Sequence, residues 1–180
     1  MLAADILNHA DIDYMLEARD ISEYKVELMQ ENFNRCHLNK AKAVAWDALE
    51  PDERWLGQAD VVIADIPCSG LGVIGRKRDI KYKMTPQAVQ DIVELQEKIL
   101  KVAASYVKKG GKLLFSTCTV NKDENEAHVK WIQDTLKMTP VSLNGTLPGL
   151  VHSPTTQQGF VQLIPGMQDT DGFFISVFEK

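Results

Sequence analysis

Short apolar runs alternate with stretches of helical periodicity along most of this chain. The runs predict β-strands at residues 15–19, 43–46, 61–64 and 112–116. The third run reads VVIA and contains no polar position, which is typical of a strand that is buried on both faces. Two later runs, residues 160–164 and 173–178, are separated by turn residues and predict an antiparallel hairpin.

Helices are predicted between these strands from their start and stop signals. Ser22 is placed to cap the first helix, whose apolar residues recur at helical spacing. Thr85-Pro86 begins the longest helix, and Gly110-Gly111 is expected to end it. Asn121 with Glu124 resembles a capping box, with Asn in place of Ser or Thr, and predicts the start of the last helix.

This order of elements predicts an α/β fold with a mostly parallel, doubly wound sheet and an antiparallel hairpin at its C-terminal end. Ligands of such sheets bind beyond the carboxyl ends of the strands. Four of the predicted strand ends carry Asp20, Asp47, Asp65 and Cys118. Turn formation explains any single Asp after a strand equally well. The set of four favours a binding or catalytic site at this edge.

Composition narrows the class of protein. A chain of 180 residues fits one domain with a core of its own. No apolar run approaches the length of a membrane span, and no basic leader precedes the first run, so neither a membrane protein nor a signal peptide is expected. Three widely spaced cysteines do not form a disulfide framework, which favours the reducing cytoplasm. The net charge of −5 argues against indiscriminate nucleic-acid binding but permits a local basic site.

The three cysteines have different surroundings in the sequence. Cys36 lies at the end of a predicted helix and is expected to pack as a small hydrophobe. A zinc site or a thioredoxin-like pair would need Cys-x-x-Cys spacing, which Cys68 and Cys118 lack. The four scattered histidines are expected at surface or capping positions. The chemistry alone therefore favours a cysteine-dependent transferase or hydrolase, with Cys118 activated by the helix that Asn121 is expected to cap.

Several stretches together resemble the RNA cytosine-C5 methyltransferase family. Residues 64–74, ADIPCSGLGVI, are similar to its Asp-x-Pro-Cys-Ser-x-x-Gly motif, and residues 116–126, STCTVNKDENE, to its Thr-Cys-Ser…Glu-Asn motif. Residues 78–82, RDIKY, resemble Pro-Asp-Ile-Lys-Trp, with Arg78 in place of proline. The final hairpin matches as well. Within the family the resemblance is strongest to the bacterial enzymes that methylate 16S ribosomal RNA.

The resemblance implies a Rossmann-like class I methyltransferase sheet and a covalent mechanism. The thiolate of Cys118 would add to carbon 6 of a target cytosine, and carbon 5 would then take the methyl group. Cys68 would assist release of the product. Asp65 would lie between cofactor and base and hydrogen-bond the cytosine, a role that suits a carboxylate acceptor.

The resemblance also implies S-adenosyl-L-methionine as the cofactor. Asp20 would accept hydrogen bonds from its ribose hydroxyls, and Asp47 would accept one from its adenine amino group. Lys25 is expected to approach the same cofactor, and Asp65 would contact it from the side of the base. No metal is expected.

A basic segment, residues 76–83 (RKRDIKYK), follows the Pro-Cys motif directly. It concentrates positive charge in an acidic chain, so we expect it to hold RNA phosphates beside an unpaired or flipped-out cytosine, with Tyr82 stacking on a base. The expected contacts are Arg76, Lys77, Arg78 and Lys81. The partner would be 16S ribosomal RNA of the small subunit. A solvated basic loop is the alternative.

One family feature has no counterpart in this chain. The family places Asp-x-Cys-Ala-Ala-Pro-Gly-Gly-Lys after its first strand, whereas residues 1–9 resemble the helix that follows that loop. We therefore expect residues 1–180 to be the C-terminal portion of an S-adenosylmethionine-dependent methyltransferase domain without its first strand, with a missing N-terminal segment as a partner. Two functions stay open: an active methyltransferase, or a truncated, inactive fragment that is at most an RNA-binding module. A cysteine hydrolase is a distant third.

Overall fold

The structure is a computed structural model that describes residues 13–146, 154–167 and 169–180. The chain divides into two compact units, residues 1–51 and 52–180, which are called here the N-terminal and the C-terminal unit. The helix that is expected at residues 1–9 lies outside the described residues, as do His9 and His152. No helix among the described residues is long and apolar enough to cross a membrane.

The N-terminal unit consists of two parallel strands joined by a helix. Strand β1 (Leu16–Asp20) leads into helix α1 (Glu23–Arg35), which returns to strand β2 (Ala41–Ala45). The two strands pair in parallel, with Asp20 opposite Ala45. The predicted strands are confirmed here, with β2 beginning two residues earlier than the pattern indicated.

A small apolar cluster packs inside this unit. Its members are Tyr14, Leu16, Phe33, Cys36, Leu38 and Ala41. Cys36 therefore packs as a small hydrophobe, as predicted. Ser22 occupies the N-cap position of α1, but its side chain makes no capping hydrogen bond.

The C-terminal unit contains one mixed sheet with helices packed against it. Its elements are a 3₁₀ turn (Glu53–Trp55), β3 (Ala59–Asp65), a second 3₁₀ turn (Leu71–Val73), α2 (Ile80–Lys83), α3 (Pro86–Tyr106), β4 (Val107–Thr117), α4 (Glu126–Trp131) with a π-helical continuation (Ile132–Leu136), β5 (Thr139–Pro140), a third 3₁₀ turn (Thr156–Gln158), β6 (Phe160–Leu163) and β7 (Phe173–Glu179). The strand order is β3-β4-β7-β5, and β6 also pairs with β7. Among the described strands of this unit, only β3 and β4 run parallel to each other, whereas β7 is antiparallel to β4, β5 and β6. The α/β class and the final hairpin are confirmed.

The core of this unit lies between α3 and the sheet. Leu100 of α3, Leu113 and Phe115 of β4, and Phe174 and Phe178 of β7 are all fully buried. Burial of each such side chain stabilises the folded state by about 1.5–3 kcal/mol, because its apolar surface is removed from water. The helix begins as predicted, because Thr85 accepts a hydrogen bond from the Ala88 amide at 3.1 Å and Pro86 follows it.

The end of α3 differs from the prediction. The helix ends at Tyr106, and Gly110-Gly111 lies inside β4 instead of terminating the helix. Residues 108–111 of β4 stand opposite Asp60 alone, because Val107 pairs with Ala59 and Lys112 with Val61. Gly110 has a φ of +75°, which glycine adopts without a steric penalty. The glycine pair therefore marks a β-bulge.

The expected burial of β3 on both faces is wrong. Ala64 is buried and Val62 packs against the core, but Val61 and Ile63 are 57% and 63% exposed. Alternate side chains of a strand point to opposite faces, and only one face of β3 packs on the core. A continuous apolar run does not reveal which of its faces is covered.

Candidate active site

Cys68 and Cys118 lie side by side although 50 positions separate them in the sequence. Their Sγ atoms are 3.3 Å apart, and both side chains are partly buried. The sheet brings them together, because β3 and β4 are parallel neighbours with Asp65 opposite Ser116. The loops that follow these two strands consequently leave the sheet at the same edge.

The environment of Cys68 favours its protonated form. Burial of the thiol, together with its hydrogen bond to Cys118, raises the pKa of Cys68 to about 12. Cys68 is therefore a thiol at neutral pH. Activation of Cys118 by a following helix is not supported, since α4 begins only at Glu126 and Asn125 occupies its N-cap position.

Glu124 belongs to a buried hydrogen-bond network and not to the predicted capping box. Its carboxylate accepts hydrogen bonds from the Ser69 amide at 2.8 Å and from the Ser69 hydroxyl at 2.5 Å. Gln96 Nε2 donates to the same carboxylate at 3.2 Å and to the Pro67 carbonyl at 2.8 Å. The Ser69 and Thr119 hydroxyls are 2.8 Å apart. The network joins three parts of the unit: the loop after β3 that carries Cys68 (residues 66–75, the Pro-Cys loop), the loop after β4 that carries Cys118 (residues 118–124, the Thr-Cys loop), and α3.

Asn125 fixes the Thr-Cys loop from its other side. Its Oδ1 accepts the Thr117 hydroxyl at 2.6 Å, and its Nδ2 donates to the Thr119 carbonyl at 3.0 Å. The same Nδ2 donates to Gln162 Oε1 of β6 at 2.7 Å. Asn125 is fully buried, so these bonds satisfy an amide that would otherwise be costly to remove from water.

Two glycines complete the contact between the loops. The Gly72 amide donates to the Cys118 carbonyl at 3.1 Å, and the Gly172 amide donates to the Gly72 carbonyl at 2.9 Å. Gly72 is buried between these two partners. The backbone of the Pro-Cys loop is therefore bonded directly to the residue that carries the second thiol.

Asp65, the last residue of β3, remains exposed at the same strand end. Its Oδ1 accepts a hydrogen bond from the Ser116 hydroxyl at 3.2 Å. The second carboxylate oxygen is available to accept from a ligand. The structure thus places Asp65 at the end of β3, and Cys68 and Cys118 in the loops that follow β3 and its neighbour β4.

In the N-terminal unit, Asp20 is the last residue of β1, and Asp47 lies just beyond the end of the adjacent parallel strand β2. Asp20 Oδ1 accepts the Ser22 amide at 2.9 Å, and Oδ2 accepts Lys25 Nζ at 3.2 Å. These hydrogen bonds, the Ser22 amide first, lower the pKa of Asp20 below its usual value. Asp47 Oδ1 accepts the Leu49 amide at 2.9 Å. Both side chains therefore present fixed carboxylate oxygens.

The basic segment includes the short helix α2 and is largely exposed. Arg76 Nε forms an ion pair with Asp171 at 3.0 Å. Lys81 Nζ lies 4.8 Å from the ring centre of Tyr82, whose side chain is 79% exposed. The remaining expected RNA contacts, Lys77 and Arg78, are exposed.

His128 and Gln96 are buried polar residues whose burial the sequence pattern did not predict. His128 was expected at the surface or in a cap, but it is buried, with its ring 5.8 Å from that of Phe115 and its Nδ1 2.9 Å from the Asp123 carbonyl. Its burial lowers its pKa. Gln96 lies on the apolar stripe of α3, and a polar residue in that stripe was the available signal. No cluster of three potential metal ligands exists among the described residues.

The fold is that of the Rossmann-like methyltransferases. A crystal structure of a methyltransferase homologue protein from Pyrococcus horikoshii superposes with a TM-score of 0.75 at 25% identity, over 93% of this chain and 54% of that chain. Residues 4–179 match the model of the family described as 16S rRNA methyltransferase RsmB/F. The chain therefore belongs to this family, as its motifs predicted.

Curated relatives of the chain are considerably longer. The probable ribosomal RNA small subunit methyltransferase B of Bacillus subtilis (strain 168) is 38% identical over 164 residues, which cover 89% of this chain and 36% of the relative. The ribosomal RNA small subunit methyltransferase F of Escherichia coli O7:K1 is 28% identical over 165 residues, which cover 91% and 34%. The chain spans about a third of the length of these relatives.

Proposed function

We propose that this chain carries out methyl transfer to carbon 5 of a cytosine in small-subunit ribosomal RNA through a covalent cysteine adduct. The observation that carries the proposal is the 3.3 Å separation of the Cys68 and Cys118 sulfurs within the family's two cysteine motifs. Family membership supports the substrate class. A single cysteine could act as the nucleophile alone. A second thiol beside it can also donate to the nucleophilic sulfur when the carbon–sulfur bond of the adduct breaks.

In the proposed reaction the Cys118 thiolate bonds to carbon 6 of the cytosine. The displaced electron pair makes carbon 5 nucleophilic, and carbon 5 bonds to the methyl carbon. A base then removes the proton from carbon 5, the carbon–sulfur bond breaks, and the electron pair of that bond returns to Cys118. When bound, S-adenosyl-L-methionine would supply this methyl group, and the electron pair of its sulfur–methyl bond would remain on sulfur, so that S-adenosylhomocysteine leaves.

Cys68 is proposed to assist the last of these events. Burial and its neighbour raise the pKa of Cys68 to about 12, so its proton stays on sulfur at neutral pH. A thiol 3.3 Å from Cys118 can donate to the departing sulfur as the carbon–sulfur bond breaks. Asp65 is proposed to accept a hydrogen bond from the cytosine amino group, which its anchored and exposed carboxylate supports.

Three residues of the N-terminal unit are proposed to bind the cofactor. Asp20 would accept from the ribose hydroxyls and Asp47 from the adenine amino group, since both present carboxylate oxygens at the ends of parallel strands. The lowered pKa of Asp20 supports an ionised acceptor, and Lys25 holds its Oδ2. The ribose hydroxyls and the adenine amino group are hydrogen-bond donors, and the two carboxylates are acceptors.

The basic segment is proposed to hold the ribosomal RNA near the target base, through Arg76, Lys77, Arg78 and Lys81. Their exposed charges support phosphate contacts. Ribosomal RNA as the substrate also implies a cytoplasmic location.

The reaction is tested with small-subunit ribosomal RNA that contains 5-fluorocytidine. Fluorine cannot leave carbon 5 as a proton does, so the adduct persists after methyl transfer. We expect a protein–RNA complex that survives a denaturing gel, and we expect its loss in Cys118→Ser. Cys68→Ser should accumulate an adduct even on unmodified RNA, because product release slows. Cys36→Ser is the matched control and should retain the wild-type pattern.

Binding of the cofactor is tested separately by calorimetric titration with S-adenosylhomocysteine. Asp20→Asn should weaken binding by about tenfold or more, since an amide cannot replace an ionised acceptor. Glu23→Gln removes a neighbouring exposed carboxylate and should bind as the wild type does.

A folded chain that binds RNA but forms no adduct would overturn the proposal in favour of an RNA-binding module.

A further inference from the structure

We infer that Gln96 and Glu124 form a buried positioning pair that sets the approach of Cys68 to Cys118. The pair is hydrogen-bonded to the backbone on both sides of Cys68. Its consequence for methyl transfer rests on the proposed function, whereas its effect on the two thiols does not.

The two side chains are fully buried, with relative exposures of 0%. Burying an amide and a carboxylate is unfavourable unless hydrogen bonds replace those to water. Both hydrogens of Gln96 Nε2 have acceptors, the Pro67 carbonyl at 2.8 Å and the Glu124 carboxylate at 3.2 Å. Gln96 Oε1 is buried and has no hydrogen-bond partner in the described part of the chain. The amide is thus committed to its two donor bonds.

These bonds fix the peptide groups on both sides of Cys68. The Pro67 carbonyl belongs to the peptide that precedes Cys68, and it accepts from Gln96. The Ser69 amide belongs to the peptide that follows Cys68, and it donates to Glu124 at 2.8 Å. Because Gln96 and Glu124 are also bonded to each other, both peptides are tied to one unit.

The same unit is tied to the other thiol. Glu124 belongs to the Thr-Cys loop, and the Thr119 hydroxyl, next to Cys118, lies 2.8 Å from the Ser69 hydroxyl. Movement of Cys68 away from Cys118 therefore breaks hydrogen bonds inside a buried site, where they are strongest. Helix α3 provides the fixed point, since its buried residues Ile99 and Leu100 pack in the core.

The test measures how fast the two thiols react with each other in the full chain with Cys36→Ala. Dithiodipyridine converts one thiol to a mixed disulfide and releases one thiopyridone. The second thiol then attacks that disulfide, forms the Cys68–Cys118 bond and releases a second thiopyridone. The rate of the second release reports the approach of the two sulfurs. It requires neither RNA nor cofactor.

Gln96→Met keeps the side-chain length and removes both donor bonds. We expect its closure rate to fall by about tenfold or more, because the reacting atoms lose their fixed orientation. Gln90→Met is the matched control: Gln90 is an exposed glutamine on the same helix that bonds to Glu94. It should close at the wild-type rate. A folded Gln96→Met chain that also closes at the wild-type rate would overturn the inference.

Gln96→Glu distinguishes positioning from packing within a single protein. A protonated carboxyl at this position can donate one hydrogen bond, whereas an ionised one repels Glu124 and the Pro67 carbonyl. Its closure rate relative to wild type should therefore approach one at acid pH and fall as pH rises, while the ratio for Gln96→Met stays flat. If the Gln96→Glu ratio is flat as well, the site acts through packing alone and the inference is wrong. This comparison also decides the matter if Gln96→Met does not fold.

Methyl transfer by the same variants separates this inference from the proposed function. A wild-type chain that transfers no methyl, while the closure rates follow the expected pattern, would leave the positioning pair intact and overturn the reaction. If instead the Gln96→Met variant transfers methyl groups and closes its disulfide at the wild-type rates, the positioning pair is overturned and the proposed reaction stands.

Discussion

Gly72 and Gly172 are in backbone contact, with the Gly172 amide donating to the Gly72 carbonyl at 2.9 Å. A Cβ on Gly72 would lie 2.4 Å from the Gly172 carbonyl oxygen and 2.8 Å from the Cys118 carbonyl oxygen. Both are backbone atoms, so no side-chain rotation can relieve the clash. The space between the Pro-Cys loop and its neighbours therefore admits only glycine at this position.

Gly72→Ala should consequently separate these loops. We expect the free energy of unfolding to fall by roughly 1–3 kcal/mol, as is usual when extra atoms enter a packed site. Urea denaturation measures this change. Gly75→Ala is the control, because nothing lies within 4 Å of a Cβ at Gly75 and its change should stay within about 0.5 kcal/mol. Equal effects of the two substitutions would contradict the close contact.

The ionisation of Cys68 predicts slow alkylation. Burial first, and then the neighbouring Cys118, raise the pKa of Cys68 from 9.0 to about 12. Iodoacetamide reacts with the thiolate, so modification of Cys68 should stay slow at pH 9 and accelerate only as the pH approaches that value. Peptide mass spectrometry follows each cysteine separately.

Cys118→Ala removes one of the two causes and leaves burial in place. The alkylation curve of Cys68 should therefore move to lower pH without reaching that of an ordinary thiol. Cys36→Ala, in the other unit, should leave the curve where it was. A curve for Cys68 that is indifferent to Cys118→Ala would show that the two sulfurs do not interact.

Because His128 is buried, we expect the free energy of unfolding to fall in acid. Burial lowers its pKa below 6.5, so the unfolded chain binds a proton before the folded chain does. Its contribution to the free energy of unfolding is present above pH 6.5 and is lost as the pH falls below that value. Urea denaturation at a series of pH values measures the slope.

His128→Asn should flatten that slope, because an amide does not titrate and can still donate to the Asp123 carbonyl. His37→Asn is the control. His37 is exposed with a φ of 55°, a conformation that asparagine tolerates. The slope should be unchanged by this substitution. If both variants keep the wild-type slope, the acid response originates elsewhere.

The basic segment predicts salt-dependent RNA binding. Lys77→Gln and Arg78→Gln should each weaken the binding of single-stranded RNA and reduce the slope of log K against log salt by about 0.7. Fluorescence anisotropy at several salt concentrations gives both values. Lys130→Gln, which removes a cation paired with Asp134 on α4, should change neither. An unaltered slope in the first two variants would make the segment a solvated loop.

The meeting of Cys68 and Cys118 could be anticipated from the sequence, because two apolar runs ended in motifs and parallel strands align their carboxyl ends. The same reasoning predicted that Asp20, Asp47 and Asp65 lie at or just beyond strand ends, which is where the structure has them. It failed at Glu124, since a carboxylate three residues after Asn121 fits a capping box as well as a buried network. Spacing along the chain does not distinguish a local hydrogen bond from one to a distant loop.

The predicted end of α3 was wrong for a related reason. A glycine pair after an apolar helical stripe fits a helix terminus, but here it forms a bulge against Asp60. Only the pairing of β4 with β3 imposes that bulge, and strand register is a property of two segments and not of one. Gln96 shows the limit in its simplest form, because its partners lie 28 and 29 positions away.

Strand β7 pairs with β4 on one side and with β5 and β6 on the other. Its partner β4 lies far upstream, with Lys112 opposite Glu179, so this closure is a long-range event and is intrinsically slow. While the chain is being synthesised, β4 keeps an unpaired edge until β7 has emerged. During that interval the exposed edge of β4 can pair with a foreign strand, so the C-terminal unit is most prone to aggregate before β7 has paired.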